Sequence, residues 1–160
     1  MSSSYSVRRA TVGDANIIGH HRAEMFFEMG EVTAADVPAL ESASRAQLVG
    51  LIASGEYLGW VAEADGQVIA GAGVMVRRLL PRGRQLGDRA EAYVLNVYTA
   101  PAHRRRGIAR DLMAQIIDWS RQQGLVRVAL HASAAGQSVY ESLGFGPTNE
   151  MKLTLAPHPR

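Results

Sequence analysis

One stretch constrains this chain more than any other: residues 91–119, where an apolar strand, a basic turn with a glycine and an amphipathic helix follow one another directly. Tyr93-Val94-Leu95-Asn96-Val97-Tyr98-Thr99 is nearly continuous in apolar and β-branched residues. Such a run suits a strand covered on both faces and predicts a central place in a sheet. After Pro101 come His103-Arg104-Arg105-Arg106-Gly107-Ile108-Ala109-Arg110. Ile108, Leu112, Ile116 and Trp119 then recur at helical spacing, with Arg110, Asp111, Gln115, Asp118 and Gln122 facing away. The helix is expected to start near Gly107 and to stop at Gly124, a residue suited to the left-handed position past a helix end.

A strand that turns tightly into a helix leaves the backbone N–H groups of the first helical turn without internal partners, pointing outward. With the positive end of the helix dipole and the flanking guanidinium groups, these donors suit a phosphate or pyrophosphate. Gly107 lets the backbone approach such a ligand, and Ala109 keeps the first turn open. The expected ligand is therefore a phosphorylated cofactor. The P-loop pattern and the three-glycine dinucleotide fingerprint are both absent. The chain instead has Arg104-x-x-Gly107-x-Ala109, which resembles the R/Q-x-x-G-x-G/A signature of the GCN5-related N-acetyltransferases. Ser138-Val139-Tyr140-Glu141-Ser142-Leu143-Gly144-Phe145 resembles a second block of the same family, its tyrosine and Gly-Phe segment.

The rest of the chain reads as a scaffold in the same order. Tyr5 to Arg9 alternates like a short strand. Thr11-Val12-Gly13-Asp14 has capping-box spacing and predicts a helix carrying Ile17, Ile18, Met25, Phe26 and Met29 inward, ending near Gly30. A second helix is expected from about Pro38 to Ser54, with Glu41 paired to Arg45 and Gly55 closing it. Trp60–Ala64 and Val68–Val76 flank Asp65-Gly66, a hairpin signal. Residues 77–89 read as a polar loop, 125–131 as a strand and 136–143 as a short helix. A final strand is expected over Glu150–Leu155, before a Pro-rich tail. The fold class is thus mixed α/β, and the resemblance runs over residues 5–155. It implies a twisted, mostly antiparallel sheet with one splayed parallel pair, formed by the fourth and fifth strands, in a single domain spanning residues 1–160.

Composition excludes several alternatives. With 160 residues, 47% hydrophobic and 20% charged, the chain is long and apolar enough for one globular core. The absence of cysteine excludes disulfides, thiolate metal sites and a cysteine nucleophile. The five histidines show no ligand spacing, so no metal is expected. No apolar run approaches the roughly 18 residues of a membrane span, and the Met1-Ser-Ser-Ser start lacks the pattern of a leader, so a cytoplasmic location is expected.

The resemblance implies transfer of an acetyl group from acetyl coenzyme A to an amine in a ternary complex. The backbone of Leu95, Asn96 and Val97 would hold the pantetheine arm and thioester. Arg104, Arg105, Arg106, Gly107, Ile108, Ala109 and Arg110 would hold the phosphates. Tyr140 matches the family tyrosine that protonates the departing thiolate; a phenol with a pKa near ~10 is protonated at neutral pH. The Val97 N–H is the implied oxyanion donor. Candidates for the base are Glu91, acting through water, and Glu24, Glu28 or His21 of the first helix. Ser133 stands where family members often carry an asparagine that contacts the coenzyme. Phe27 and Glu31 are weaker candidates for the acceptor site, and the arginines of residues 77–89 hint at an acidic or phosphorylated acceptor. Two other readings use the same residues: a coenzyme-binding sensor without turnover, or a nucleic-acid binder using Arg104–Arg106 with Arg77, Arg78, Arg82, Arg84 and Arg89. No aromatic residue interleaves those arginines. A homodimer is compatible with the sequence.

Overall fold

The computed structural model of the chain describes residues 4–155. Its elements are β1 (Ser6–Arg9), α1 (Ala15–Glu28), α2 (Val37–Ser54), β2 (Leu58–Ala64), β3 (Gln67–Leu79), β4 (Arg89–Thr99), α3 (Ile108–Gln122), β5 (Arg127–Leu130) and α4 (Gln137–Ser142). Short 3-10 turns, Val12–Asp14 and Pro101–His103, lead into α1 and follow β4. The strands form one sheet in the order β1-β2-β3-β4-β5, antiparallel except for the parallel pair β4 and β5.

The hairpin forms where Asp65-Gly66 predicts it, with both residues at positive φ (51° and 74°). Strands β3 and β4 extend further into residues 77–89 than a loop reading allows, because Arg77, Arg78 and Leu79 pair with Glu91, Ala90 and Arg89. The final strand does not form: residues 146–155 are irregular, and Met151, Leu153 and Leu155 are exposed. Their alternation is strand-like, but a strand needs an edge to pair with, and these residues pair with none among the described residues. The Pro-rich tail beyond residue 155 lies outside the described residues.

Helix α3 covers one face of the sheet. Ile108, Leu112, Met113 and Ile116 are almost fully buried and pack with Trp60, Ala62, Ala72, Val74, Ala92 and Val94. Helices α1 and α2 cover the other face around Ile18, Leu48, Tyr57 and Val61. The buried side of α1 combines small residues with Ile18 and His21: Ala15, Ile18, Gly19, His21 and Ala23 are buried, Ile17, Met25 and Phe26 are half-buried, and Met29 is exposed. The cause is close helix packing, since a Cβ on Gly19 would lie 3.2 Å from backbone atoms of Arg45 and Glu41. Glu41 accordingly meets His20 at 3.1 Å instead of pairing with Arg45.

Two contacts fix the sheet against the segments packed on this face. The carboxylate of Asp14 accepts from Arg8 at 2.9 and 3.0 Å and from the Thr11 N–H at 2.7 Å. The bond from Arg8 holds the Asp14 carboxyl below the usual carboxylate range. A carboxyl with a depressed folded-state pKa contributes stability that is present above the unfolded pKa and lost as pH falls through the folded one. Asp14→Asn is therefore expected to cost about 1–3 kcal/mol at pH 7, with the gap to the unmodified chain closing below roughly pH 4 in urea titrations. The second contact is a close approach: a Cβ on Gly73 of β3 would stand 2.1 Å from the Tyr57 Oη. Gly73→Ala should therefore destabilise by about 1–3 kcal/mol through overpacking, read as a lower denaturant midpoint with unchanged slope.

Candidate active site

The site begins at a break in β4. Parallel pairing with β5 runs only from Glu91↔Arg127 to Val94↔Leu130 and stops there. On the other side, the register with β3 shifts between Gly71 and Gly73, opposite Tyr98 and Leu95. Asn96 sits in this bulge with φ 57°, a left-handed conformation that asparagine tolerates better than most residues. The bulge reverses the alternation. Leu95 packs on the α1 and α2 side and Val97 on the α3 side, while the Asn96 side chain, between them, meets Tyr57 and Arg22 on the α1 side. Beyond Val94 the backbone of Leu95, Asn96 and Val97 therefore lines a cleft with no β5 neighbour.

The turn expected from the sequence to bind an anion lies at the start of α3. Gly107 is the residue before the helix, with φ 79°, and Arg105 also has positive φ, 63°. No side chain caps α3, so the N–H groups of its first turn, at Ile108 and Ala109, have no capping acceptor. No heavy atom lies within 4 Å of where a Gly107 Cβ would stand. Three of the four guanidinium groups around this turn are used within the protein, whereas exposed Arg105 has no partner among the described residues. Arg104 donates to both oxygens of Glu28 at 2.8 and 2.6 Å and to the Thr99 carbonyl at 2.9 Å. Arg106 meets His103 Nδ1 at 3.1 Å, and Arg110 donates to Ser142 Oγ at 2.8 Å, tying α3 to α4. The backbone, more than the arginine side chains, is thus what this turn presents to an anion.

Tyr140 lies on α4 with its ring buried against Phe145, centroids 5.9 Å apart. A Cβ on Gly136 would come within 2.9 Å of that ring, so Gly136 gives it space. Among the described residues the Tyr140 hydroxyl has no hydrogen-bond partner, and no fully buried side-chain polar atom is unpartnered, so this hydroxyl reaches solvent. Burial of the ring raises its pKa above the ordinary phenol value. Ser133 bonds locally, its Oγ accepting the Gly136 N–H at 3.2 Å ahead of α4.

The base candidates separate clearly. Glu91 is 2% exposed, held by Arg77 at 2.5 Å and by Arg127, which lie opposite it in the neighbouring strands. Burial pushes its carboxyl up, but the two guanidinium groups more than offset this and its pKa falls below the ordinary value. Glu28 is paired with Arg104 and accepts from the Tyr98 hydroxyl at 3.0 Å. His21 is buried with its ring 5.0 Å from that of Tyr98, and desolvation, with His20 nearby, lowers its pKa to about 4. Glu24 is half-buried, acts electrostatically on Tyr98 and has no ion-pair partner among the described residues. Phe27 and Glu31 are exposed at the end of α1. Of the loop arginines, Arg77 is committed to Glu91 and stacks on Tyr93, and Arg89 bonds to Gln85 and the Leu80 carbonyl.

Sequence reasoning passes over Arg22 and Tyr57. Arg22 Nη1 donates to Asn96 Oδ1 at 2.5 Å, and Asn96 Nδ2 donates to the Tyr57 hydroxyl at 3.2 Å. Desolvation pushes the Tyr57 phenol up to about 12. The sequence does carry one signal for Arg22: it stands four positions after buried Ile18, on the stripe that faces the sheet. Among the described residues no group of three His, Asp or Glu is placed to hold a metal ion, and no helix is long and apolar enough to cross a membrane.

The site is thus a bulged strand parted from its parallel neighbour, followed in the chain by an uncapped helix start. The comparisons agree on the class: residues 17–145 match the acetyltransferase (GNAT) family, and the chain belongs to it. Among relatives, the aminoglycoside N(6')-acetyltransferase type 1 of Serratia marcescens is 31% identical over 111 residues, 67% of this chain and 75% of that protein. N-acetyltransferase 8 of Rattus norvegicus is 30% identical over 99 residues, which is 60% of this chain and 42% of the rat protein, so the chain spans about two fifths of that length. A GCN5-related N-acetyltransferase from Ralstonia eutropha superposes with a TM-score of 0.84 at 33% identity, covering 96% of this chain and all of that one. A predicted acetyltransferase from Clostridium acetobutylicum, solved with acetyl-CoA, has the same fold (TM-score 0.82, 24% identity, 96% of both chains). The fold class expected from the sequence, with its splayed parallel pair, is the one observed, without the expected final strand.

Proposed function

We propose that this chain transfers the acetyl group of acetyl coenzyme A to a primary amine by direct attack within a ternary complex. The observation that carries it is the Asn96 bulge, where β5 pairing has already ended at Val94 and the strand points toward the uncapped start of α3. The residues fit the coenzyme: the unpaired edge of Leu95–Val97 suits the amides of pantetheine, and the turn at Gly107, Ile108 and Ala109 suits its pyrophosphate. The coenzyme supplies the activated thioester.

The chain supplies position and protons. The Val97 backbone N–H polarises the thioester carbonyl. Tyr140, protonated through neutral pH and open to solvent at its hydroxyl, gives a proton to the leaving sulfur. With Glu91 and Glu28 held in ion pairs and His21 a weak base, Glu24 is the carboxylate left to relay a proton from the amine through water. Glu91 then serves as an ionic tie between β3, β4 and β5. Arg104 and Arg110 hold the turn in place rather than contacting phosphate themselves. The protein works in the cytoplasm with two small-molecule or peptide ligands and no nucleic acid.

Calorimetric titration with acetyl coenzyme A, repeated with fragments lacking the pantetheine arm, tests this. Saturable binding that weakens without the arm, followed by amine-dependent thiol release, supports the proposal. Absence of binding in folded protein free of carried-over coenzyme overturns it.

A further inference from the structure

Arg22 is a half-buried cation with one hydrogen bond. Of its donors, Nη1 reaches Asn96 Oδ1 at 2.5 Å, and no other acceptor meets the guanidinium among the described residues. Its guanidinium carbon lies 4.7 Å from the centroid of the Phe26 ring, and Tyr57 and Glu31 act on it electrostatically, Glu31 without forming an ion pair. Partial burial of a guanidinium is unfavourable without a counter-anion, and desolvation lowers the pKa of this one. By contrast, Arg104 has Glu28, and Arg77 and Arg127 share Glu91.

The place of this cation is informative. Asn96 is the bulge residue, and the proposed oxyanion donor, Val97, is next in the chain. Arg22 therefore lies on the α1 side of the bulge, whereas the α3 turn holds the coenzyme phosphates. A planar fork with free N–H groups is matched to a carboxylate or a phosphate.

We propose that Arg22 binds an anionic group on the acceptor, so that the substrate is an amine bearing a carboxylate or phosphate close to the nitrogen that is acetylated. This rests on the acetyltransferase reading and names its acceptor class. Arg22 is a specificity-determining residue, and Asn96 is the positioning residue that aims it.

Matched acceptor pairs test the proposal. Thiol release is measured with an amino acid and its carboxamide, and with an amino-sugar phosphate and the unphosphorylated sugar, in the unmodified protein, Arg22→Lys and Arg22→Gln. The expected result is a kcat/KM preference of about tenfold or more for the anionic member of at least one pair, nearly abolished in Arg22→Gln and partly kept in Arg22→Lys. Which pair shows it distinguishes carboxylate from phosphate. Equal rates within both pairs, or a preference unchanged in Arg22→Gln, overturn the proposal. A second readout needs no turnover: in 15N-labelled protein the Arg22 Nε–H resonance should shift saturably with acetate or inorganic phosphate in the presence of coenzyme A, and no shift overturns it too. Normal acetyl coenzyme A binding with neutral acceptors preferred would refute this proposal alone. Failure to bind the coenzyme would refute the acetyltransferase reading itself.

Discussion

Replacing Gly107 with glutamate is expected to weaken coenzyme binding by about a hundredfold while leaving a folded protein. Two effects of the substitution can be separated because of the geometry at this position. Gly107 has φ 79°, and a left-handed conformation costs a residue with a Cβ roughly 1–2 kcal/mol. No atom lies within 4 Å of the added Cβ, so there is no steric term on top of that strain. Gly107→Ala measures the strain alone: it should lower stability by that amount and weaken acetyl coenzyme A only modestly. Glutamate adds a carboxylate at the mouth of a turn whose N–H groups and helix dipole attract an anion. At the effective dielectric of a partly exposed site, a like charge this close costs about 3 kcal/mol, which is on the order of a hundredfold in affinity. Calorimetry on the pair reads the difference. A Glu variant that binds normally would show that the pyrophosphate does not sit at this turn.

The part of the molecule legible in its sequence is the part encoded locally. The strand, turn and helix of residues 91–119 are each set by residues within a few positions of one another, and the Asp65-Gly66 hairpin is a two-residue signal. The left-handed Gly107 before the uncapped start of α3 is legible for the same reason. The features that are not legible depend on partners distant in the chain. Glu91 looks like a charge at a strand end until the register sets Arg77 on one side and Arg127 on the other. Met151, Leu153 and Leu155 alternate as a strand does, but strand formation is decided by whether an edge is offered. Arg22 and Tyr57 belong to the site only because the bulge turns Asn96 toward α1, and a bulge is a property of two strands together.

Tyr140→Phe should lower kcat by about a hundredfold while leaving coenzyme affinity and stability nearly unchanged. The hydroxyl makes no hydrogen bond to other described residues, so removing it strands no partner and should cost little folding free energy. The ring contacts with Phe145 and the space above Gly136 remain as they are. What disappears is the proton for the leaving thiolate, and general acid catalysis of this kind typically contributes 10²–10⁴-fold. The pH dependence gives an independent check with a definite sign. Burial raises the Tyr140 pKa, so the acid form persists above the ordinary phenol range and the alkaline limb of kcat should fall above roughly pH 10 in the unmodified protein. In Tyr140→Phe that limb should vanish. A variant that keeps both its rate and the limb would assign the proton to another group. One that loses coenzyme binding would make Tyr140 a packing residue of the cleft wall, since a missing proton donor alone acts only after the coenzyme is bound.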